Sequence, residues 1–430
     1  MRHRHPDQIP SLVFTNSRGE ILDHPGLQMA GSSCGQISPL RPEELIELPE
    51  GSELFVLPGR LPVGIDPASG APSVLTADPF SNGTPQAVAA FMSPAHTAIF
   101  TAAYQSTAEA PLLPLFSYTA VGWYKDKFWA AGFRSDADNR QDANQFDQNK
   151  ITVRTRQILR KNPSNRLIQH LGKCCLTYGC PAARNYFLGR WEAPLPSSPS
   201  CNAACVGCIS LQPSGCCPAT QDRINFVPNP SEIAEMAIPH LRKAPRPIVS
   251  FGQGCEGEPL LQAETLAKAI RLIRSATDRG TVNLNTNAGL PDALDRLICA
   301  GLDSIRVSMN SARVDSHTKY YRPKGFSLED VKQSISLMKK AGRHVSLNYF
   351  ILPGFTDDPE EFDALCRLID QYRPDLIQLR NLNMDPEWYC RTVGHQPKSP
   401  PIGILNWRRQ LTELFPALRF GYFNPPLQKN

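Results

Sequence analysis

The chain of 430 residues contains no run of 18 uninterrupted apolar residues, because its Ala-rich stretch from Gln86 to Tyr104 is broken by Ser93, Pro94, His96 and Thr97. No membrane-spanning helix is therefore expected. The basic start MRHRHPDQIP is not followed by the apolar segment of a secretory signal. A charged tail is missing too: 45 Lys and Arg face 40 Asp and Glu, a small surplus spread along the chain, so nothing announces nucleic acid. Nor are the 13 cysteines spread as a disulfide framework would be. Their number is odd and most lie between Cys174 and Cys255, which suits metal ligation in a reducing compartment, and the cytoplasm is the expected location.

What is present is a CxxxCxxC triad, Cys201, Cys205 and Cys208, in the stretch CNAACVGC. Three thiolates so close can hold three irons of a 4Fe-4S cube and leave the fourth iron open for chemistry. A zinc knuckle or a purely structural cluster is the plainer alternative, although zinc sites usually pair CxxC with a second CxxC or with histidines.

The length suggests two or three domains. Proline recurs through the first 85 residues, between short apolar runs such as Leu12 to Thr15 and Leu54 to Leu57. Long helices are excluded there, and a β-rich module over residues 1–135 is expected, with further strands around Thr97 to Tyr104 and Leu115 to Phe133. Residues 136–194 read as a linker and helical connector: a polar loop from Asp136 to Asn149, then a basic helical pattern from Ile151 to His170. A solvated helix face explains those basic residues more simply than an RNA contact does.

Beyond the triad, strand and helix alternate. IVSF (Ile248 to Phe251), TVNLNTN (Thr281 to Asn287), SIRVSMN (Ser304 to Asn310), HVSLNYFIL (His344 to Leu352) and LIQLRNL (Leu376 to Leu382) each read as strands, the first four followed by helical patterns. The series predicts parallel βα units with chemistry at the carboxyl ends of the strands. In NPSEIAEMA, Asn229 is placed as N-cap, Pro230 at the first helical position and Glu232 for a capping box. Residues 396–430 read as a C-terminal helix and tail, with ILNWRRQLTELF as the helix.

After IVSF comes GQGCEGEP, in which Gly252, Gly254 and Gly257 spell the dinucleotide fingerprint GxGxxG. A Rossmann unit, however, needs an acidic residue at the end of the next strand, where this chain has Asn287. Taken with the triad, Gly257, Glu258 and Pro259 are similar to the GGE-type motif of the radical S-adenosylmethionine (radical SAM) superfamily, and CNAACVGC resembles its cysteine signature. The resemblance covers about residues 195–395 and implies a partial (β/α)6 barrel of the TIM type, in the α/β class, with the cluster on the loop after the first strand. It implies that the open iron chelates the methionine moiety of S-adenosylmethionine, and that Glu258 pairs with its ammonium beside Gly257 and Pro259.

Asn285, Asn287, Ser308 and Asn310 match positions that touch the ribose or the methionine carboxylate in such enzymes. Leu352 sits where relatives make an apolar backbone contact to adenine. Strand-end capping or a plain turn accounts for each of these equally well. Two departures stand out: Gly207 replaces the usual aromatic residue before the third cysteine, and Glu256 replaces the first glycine of GGE, as a charge facing water or substrate.

The expected activity is reductive cleavage of S-adenosylmethionine to a 5'-deoxyadenosyl radical that abstracts hydrogen from a substrate not specified by the sequence. A low-potential electron donor of flavodoxin or ferredoxin type would be the partner. An RNA-modifying radical enzyme and a noncatalytic iron-sulfur or zinc protein stay open as alternatives. Cys174, Cys175, Cys180, Cys216 and Cys217 flank the triad and form a candidate auxiliary metal or cluster site, although adjacent cysteines are poor at placing both sulfurs on one metal.

Overall fold

Short apolar segments punctuated by proline make the first part of the chain a sheet rather than a bundle. In a computed structural model, which describes residues 5–212, 215 and 217–427, all the pairings of its strands are antiparallel. Thirteen strands run between Ser11–Thr15 and Lys127–Arg134, the expected apolar runs among them as Ser11–Thr15 and Glu53–Leu57.

The connector is less free than its polarity suggests. Within the expected loop, the Asp136 carboxylate accepts from the Tyr422 and Phe423 N–H groups, and Arg140 Nη1 donates to the Asn424 carbonyl at 3.1 Å. The basic pattern is not continuous either. It splits into helices Gln148–Lys161 and Arg166–Leu176, because Pro163 cannot continue the first, and Asn165 caps the second by accepting from Ile168 N–H at 3.0 Å.

From Glu192 onward the strands are parallel and neighbours in sequence are neighbours in space. Glu192–Pro194, Ile248–Phe251, Thr281–Thr286, Ser304–Met309, His344–Ile351, Leu376–Asn381 and Arg419–Gly421 form one curled sheet in that order. Among the described residues this is a partial βα barrel of the expected kind, with a short seventh strand beyond the expected six. That strand falls in the stretch read as helix and tail. The helix is there, at Ile404–Leu414, but the chain then returns so that Arg419, Phe420 and Gly421 pair with Leu376, Ile377 and Gln378. Three residues without a period-2 pattern left no strand signal.

The helices between these strands start where their caps allow. The box at Asn229 and Glu232 forms as expected at the head of Pro230–Lys243, and Ser327 with Asp330 forms another at Leu328–Lys340. Along the strands, one face is apolar and lies under the helices: Ile305, Val307 and Met309 share the main core with Leu297, Ile335 and Met338. The opposite face is polar. Ser250, Asn283, Asn285, Ser304, Arg306, Ser308, Asn348, Gln378 and Arg380 occupy the alternate positions. Parallel strands covered on both sides usually read as continuous apolar runs; here several polar positions are paired instead, Asn283 with Ser250 and Asn285, and Gln378 with Asn424 of the C-terminal segment.

The antiparallel sheet closes over the later strands. Ala98 N–H donates to Asn381 Oδ1 at 2.8 Å and Asn381 Nδ2 donates to the His96 carbonyl at 3.1 Å. Arg60 and Asp385 form an ion pair at 2.7 Å with both side chains at most 2% exposed. Among the described residues no helix is long and apolar enough to cross a membrane.

Candidate functional site

The three-cysteine loop leaves the first parallel strand and is held from two sides. On one side Gly257 N–H donates to the Ser198 carbonyl at 2.7 Å and Glu258 N–H to the Ser200 carbonyl at 2.9 Å. On the other, Ala204 and Val206 N–H donate to the Tyr321 and Tyr320 carbonyls, each at 3.0 Å. Cys201, Cys205 and Cys208 are all partly exposed on this loop. Burial pushes the Cys201 thiol up, and the neighbouring Glu258 adds to that; the more deeply set Cys205 is raised further. Arg223 Nη2 lies 3.4 Å from Cys208 Sγ and its Nε donates to Ser210 Oγ at 3.1 Å, placing a fixed positive charge beside the third sulfur.

The first and last glycines of the second motif's GxGxxG have packing reasons. Gly252 has φ +76 and an ideal Cβ there would lie 1.7 Å from the Asn285 carbonyl oxygen; at Gly257 it would lie 2.0 Å from that of Ser200. Both positions exclude any side chain, and the second brings the motif onto the backbone just before Cys201.

Glu256 does not face water. It is buried and its Oε2 accepts from Ser197 N–H, Ser197 Oγ and Ser198 N–H at 2.7, 3.0 and 3.1 Å, while Oε1 accepts from Gln253 N–H at 2.7 Å. A carboxylate in the place of a glycine thus organises the turn that delivers the cysteine loop. Burial pushes its carboxyl up to about 7 against those four donors.

Glu258 is also buried. Its carboxylate accepts from Leu260 N–H at 3.0 Å, Thr286 Oγ1 at 2.5 Å and Asn287 N–H at 2.8 Å. Burial pushes it up to about 7. Three of roughly four acceptor sites of the carboxylate are thereby used inside the protein, and the group expected to meet a ligand ammonium also splices this loop to the end of the third strand. Pro259 begins the 3-10 turn Pro259–Gln262 that follows.

Of the other expected contacts, Asn287 Nδ2 donates to Asn202 Oδ1 at 2.7 Å, and its Oδ1 accepts from Gly289 N–H at 2.9 Å. Asn310 Nδ2 is shared between the Ser316 carbonyl and Tyr389 Oη, both at 3.1 Å. Among the described residues, four buried amide atoms have no protein partner: Asn202 Nδ2, Asn285 Nδ2, Asn310 Oδ1 and Asn348 Oδ1. Ser308 is partly exposed on the concave face. Leu352 is buried, but its backbone is already engaged: its N–H donates to Thr356 Oγ1 at 2.8 Å and its carbonyl accepts from Phe355 and Thr356 N–H.

Sequence reasoning missed several residues here. Gly207 is backed by Tyr320 Oη and Met384 Sδ, each 3.0 Å from where its Cβ would be, so side chains from distant elements close the space beside it. It also missed Arg306 and Arg380. Arg306 Nη1 reaches Gln378 Oε1 at 3.4 Å; Arg380 Nη2 donates to the Tyr422 carbonyl at 2.9 Å and its guanidinium stacks 3.7 Å from the Tyr422 ring centroid. Each Nε is buried without a partner. Burial, with Arg380 close by, lowers Arg306 to about 9. The period-2 alternation in SIRVSM and LIQLRN was the available signal.

The described cysteines flanking the triad have different side-chain neighbours. Cys175 Sγ lies 3.4 Å from Thr155 Oγ1, Cys217 belongs to the apolar cluster with Val206 and Tyr320, and Cys180 caps the helix Pro181–Leu188. Cys216 lies outside the described residues. Cys174 instead meets Cys255 and His170. Helix geometry turned the members of the CC pair to different partners.

Residues 195–368 match the family model of the Radical SAM superfamily. Among curated proteins no match was found. Among solved structures, anSMEcpe with bound AdoMet is 18% identical, with 44% of this chain and 52% of that chain covered and a TM-score of 0.35. A radical SAM methyltransferase from Sphaerobacter thermophilus is 15% identical, covering 54% and 66% with a TM-score of 0.36. Methylornithine synthase is 16% identical, covering 62% and 73% with a TM-score of 0.39. The match thus spans about half the length of the first of these. Residues 195–368 thus form a radical SAM domain.

Proposed function

We propose that this protein is a radical SAM enzyme acting on a substrate that carries an anionic group. The observation that supports it best is the junction of the two motifs, where the Gly257 and Glu258 N–H groups are bonded to the backbone immediately before Cys201. Cys201, Cys205 and Cys208 would hold a 4Fe-4S cluster: three soft donors on one loop, with Arg223 against the third to balance thiolate charge. When bound and reduced by a low-potential donor, that group supplies the electron that splits S-adenosylmethionine into methionine and a 5'-deoxyadenosyl radical for hydrogen abstraction.

The chain's own residues do the positioning. Gly257 lets backbone approach closely, Glu258 keeps an acceptor site for the methionine ammonium, and Pro259 starts the turn behind it. Asn202, Asn285 and Asn310 carry the unpartnered amide atoms that polar ligand groups would satisfy. Asn287 holds Asn202 in place, and Ser308 adds a hydroxyl on the same face. Leu352, with its backbone engaged, offers apolar side-chain surface beside Tyr320 and Met384. Deeper on the concave face, Arg306 and Arg380 outnumber the one carboxylate tied into the same network, Glu192, which accepts from Ser250 Oγ and Asn424 Nδ2. A carboxylate or phosphate of the substrate would restore that balance.

The deciding experiment is anaerobic. After cluster reconstitution, dithionite and S-adenosylmethionine should give 5'-deoxyadenosine with the intact chain and none with a variant carrying Cys201→Ser, Cys205→Ser and Cys208→Ser. Equal product from both would sink the ligand assignment; metal uptake without S-adenosylmethionine affinity would favour a noncatalytic iron-sulfur protein.

A further inference from the structure

His170 and Cys174 are four residues apart on the helix Arg166–Leu176, which puts both on one face. That face meets the GQGCEGEP loop at Cys255. One ring nitrogen of His170 and the sulfurs of Cys174 and Cys255 all lie within 4.8 Å of one another, and His170 Nε2 is 3.6 Å from Cys174 Sγ. Cys174 and Cys255 are buried and His170 half-buried. Bond lengths of about 2.3 Å to sulfur and about 2.0 Å to nitrogen place tetrahedral ligand atoms roughly 3.5–3.8 Å apart, so small side-chain adjustments would close these three around one ion.

We propose that His170, Cys174 and Cys255 bind a zinc ion, separate from the CNAACVGC loop. Two thiolates and an imidazole are a donor set suited to zinc, with a water molecule in the fourth tetrahedral position. Its place in the fold gives it a task. Cys255 precedes Glu256, whose carboxylate organises Ser197 and Ser198, and Gly257, which is bonded to Ser198. The Cys255 carbonyl accepts from Ile224 N–H at 2.8 Å. An ion here staples the connector helix to the loop on which the cysteine loop rests. It is a support to the S-adenosylmethionine site and does not touch substrate.

The test counts zinc separately from iron by elemental mass spectrometry, in the wild-type chain and in the triple serine variant of the triad, after zinc loading and gel filtration with a mild chelator. Both should retain about one zinc per chain. Cys174→Ser, Cys255→Ser and His170→Ala should each lose most of it, while Cys299→Ser, at an exposed position, should not. Should a cysteine variant fail to fold, cobalt titration of the triple serine variant of the triad takes its place: a thiolate-to-cobalt charge-transfer band is expected and should be abolished by competing zinc. Absence of retained zinc in the wild-type chain, or zinc unchanged in both cysteine variants, overturns the site. So does a peptide mass showing Cys174 bonded to Cys255 in protein isolated under reducing conditions. A chain that makes 5'-deoxyadenosine yet holds no zinc would refute this site and leave the proposed function standing.

Discussion

Gly257 sits against Ser200 so closely that a Cβ would lie 2.0 Å from the Ser200 carbonyl oxygen, the same oxygen that accepts from Glu258 N–H at 2.9 Å. The contact is backbone on backbone, so neither side can yield by changing rotamer. Gly257→Ala should shift the cysteine loop, cost about 1–3 kcal/mol by overpacking, and lower 5'-deoxyadenosine formation more than tenfold. Thermal unfolding and the anaerobic assay read the two effects. Unchanged activity would mean that the two motifs work independently.

Glu258→Gln keeps the shape of a buried side chain but turns an NH2 toward a donor. One of the bonds from Leu260, Thr286 or Asn287 is lost, at about 1–3 kcal/mol. If the remaining acceptor site also meets the methionine ammonium, the Kd for S-adenosylmethionine should rise at least tenfold in equilibrium dialysis. A stability loss with unchanged affinity would reduce Glu258 to a purely structural role.

The Arg60–Asp385 pair joins the antiparallel sheet to the barrel. Asp385 also accepts from Leu113 N–H at 3.1 Å and caps the helix Pro386–Val393. Arg60→Ala would leave that carboxylate buried and uncompensated, an expected loss of about 3–5 kcal/mol in urea unfolding. The double variant R60M/D385N, which removes the charge and keeps the cap, should recover more than half of it.

Glu232 sets an acid limit. Its carboxylate accepts from Arg166 N–H, Nε and Nη2 and from Asn229 N–H; the Arg166 guanidinium, first, holds it down to about 2. A depressed carboxyl stabilises the fold at neutral pH, and that contribution is lost as pH falls from about 5 toward 2. The half-exposed Arg166 reduces the effect to about 2 kcal/mol. Glu232→Gln should flatten the dependence of unfolding free energy on pH across that window. An unaltered slope would assign it to other groups.

Arg306 and Arg380 predict the class of substrate. A metabolite fraction retained on an anion-exchange resin should stimulate 5'-deoxyadenosine formation more than the flow-through does. Arg306→Gln or Arg380→Gln should lose most of that stimulation, roughly tenfold or more for one bidentate anion contact, and keep the unstimulated rate. Stimulation by the flow-through alone would rule the anion out.

Much of this was readable in the chain before any coordinates. The triad, the glycines of GQGCEGEP, five of the parallel strands and the box at Asn229 are local patterns, set by spacing, period and turn chemistry within a few residues. Those patterns carried the fold class and the cysteine loop. The seventh strand at Arg419–Gly421, the break near Pro163, the burial of Glu256 and the backing of Gly207 by Tyr320 and Met384 were different in kind. Each depends on which distant segment arrives alongside, and a side chain's hydrogen-bonding partners are not encoded in its neighbours in sequence. Cys174 shows the limit most directly: as one of a pair of adjacent cysteines it had several possible partners, and only the packing of helix Arg166–Leu176 on the loop at Cys255 brought His170 and a second thiol within reach.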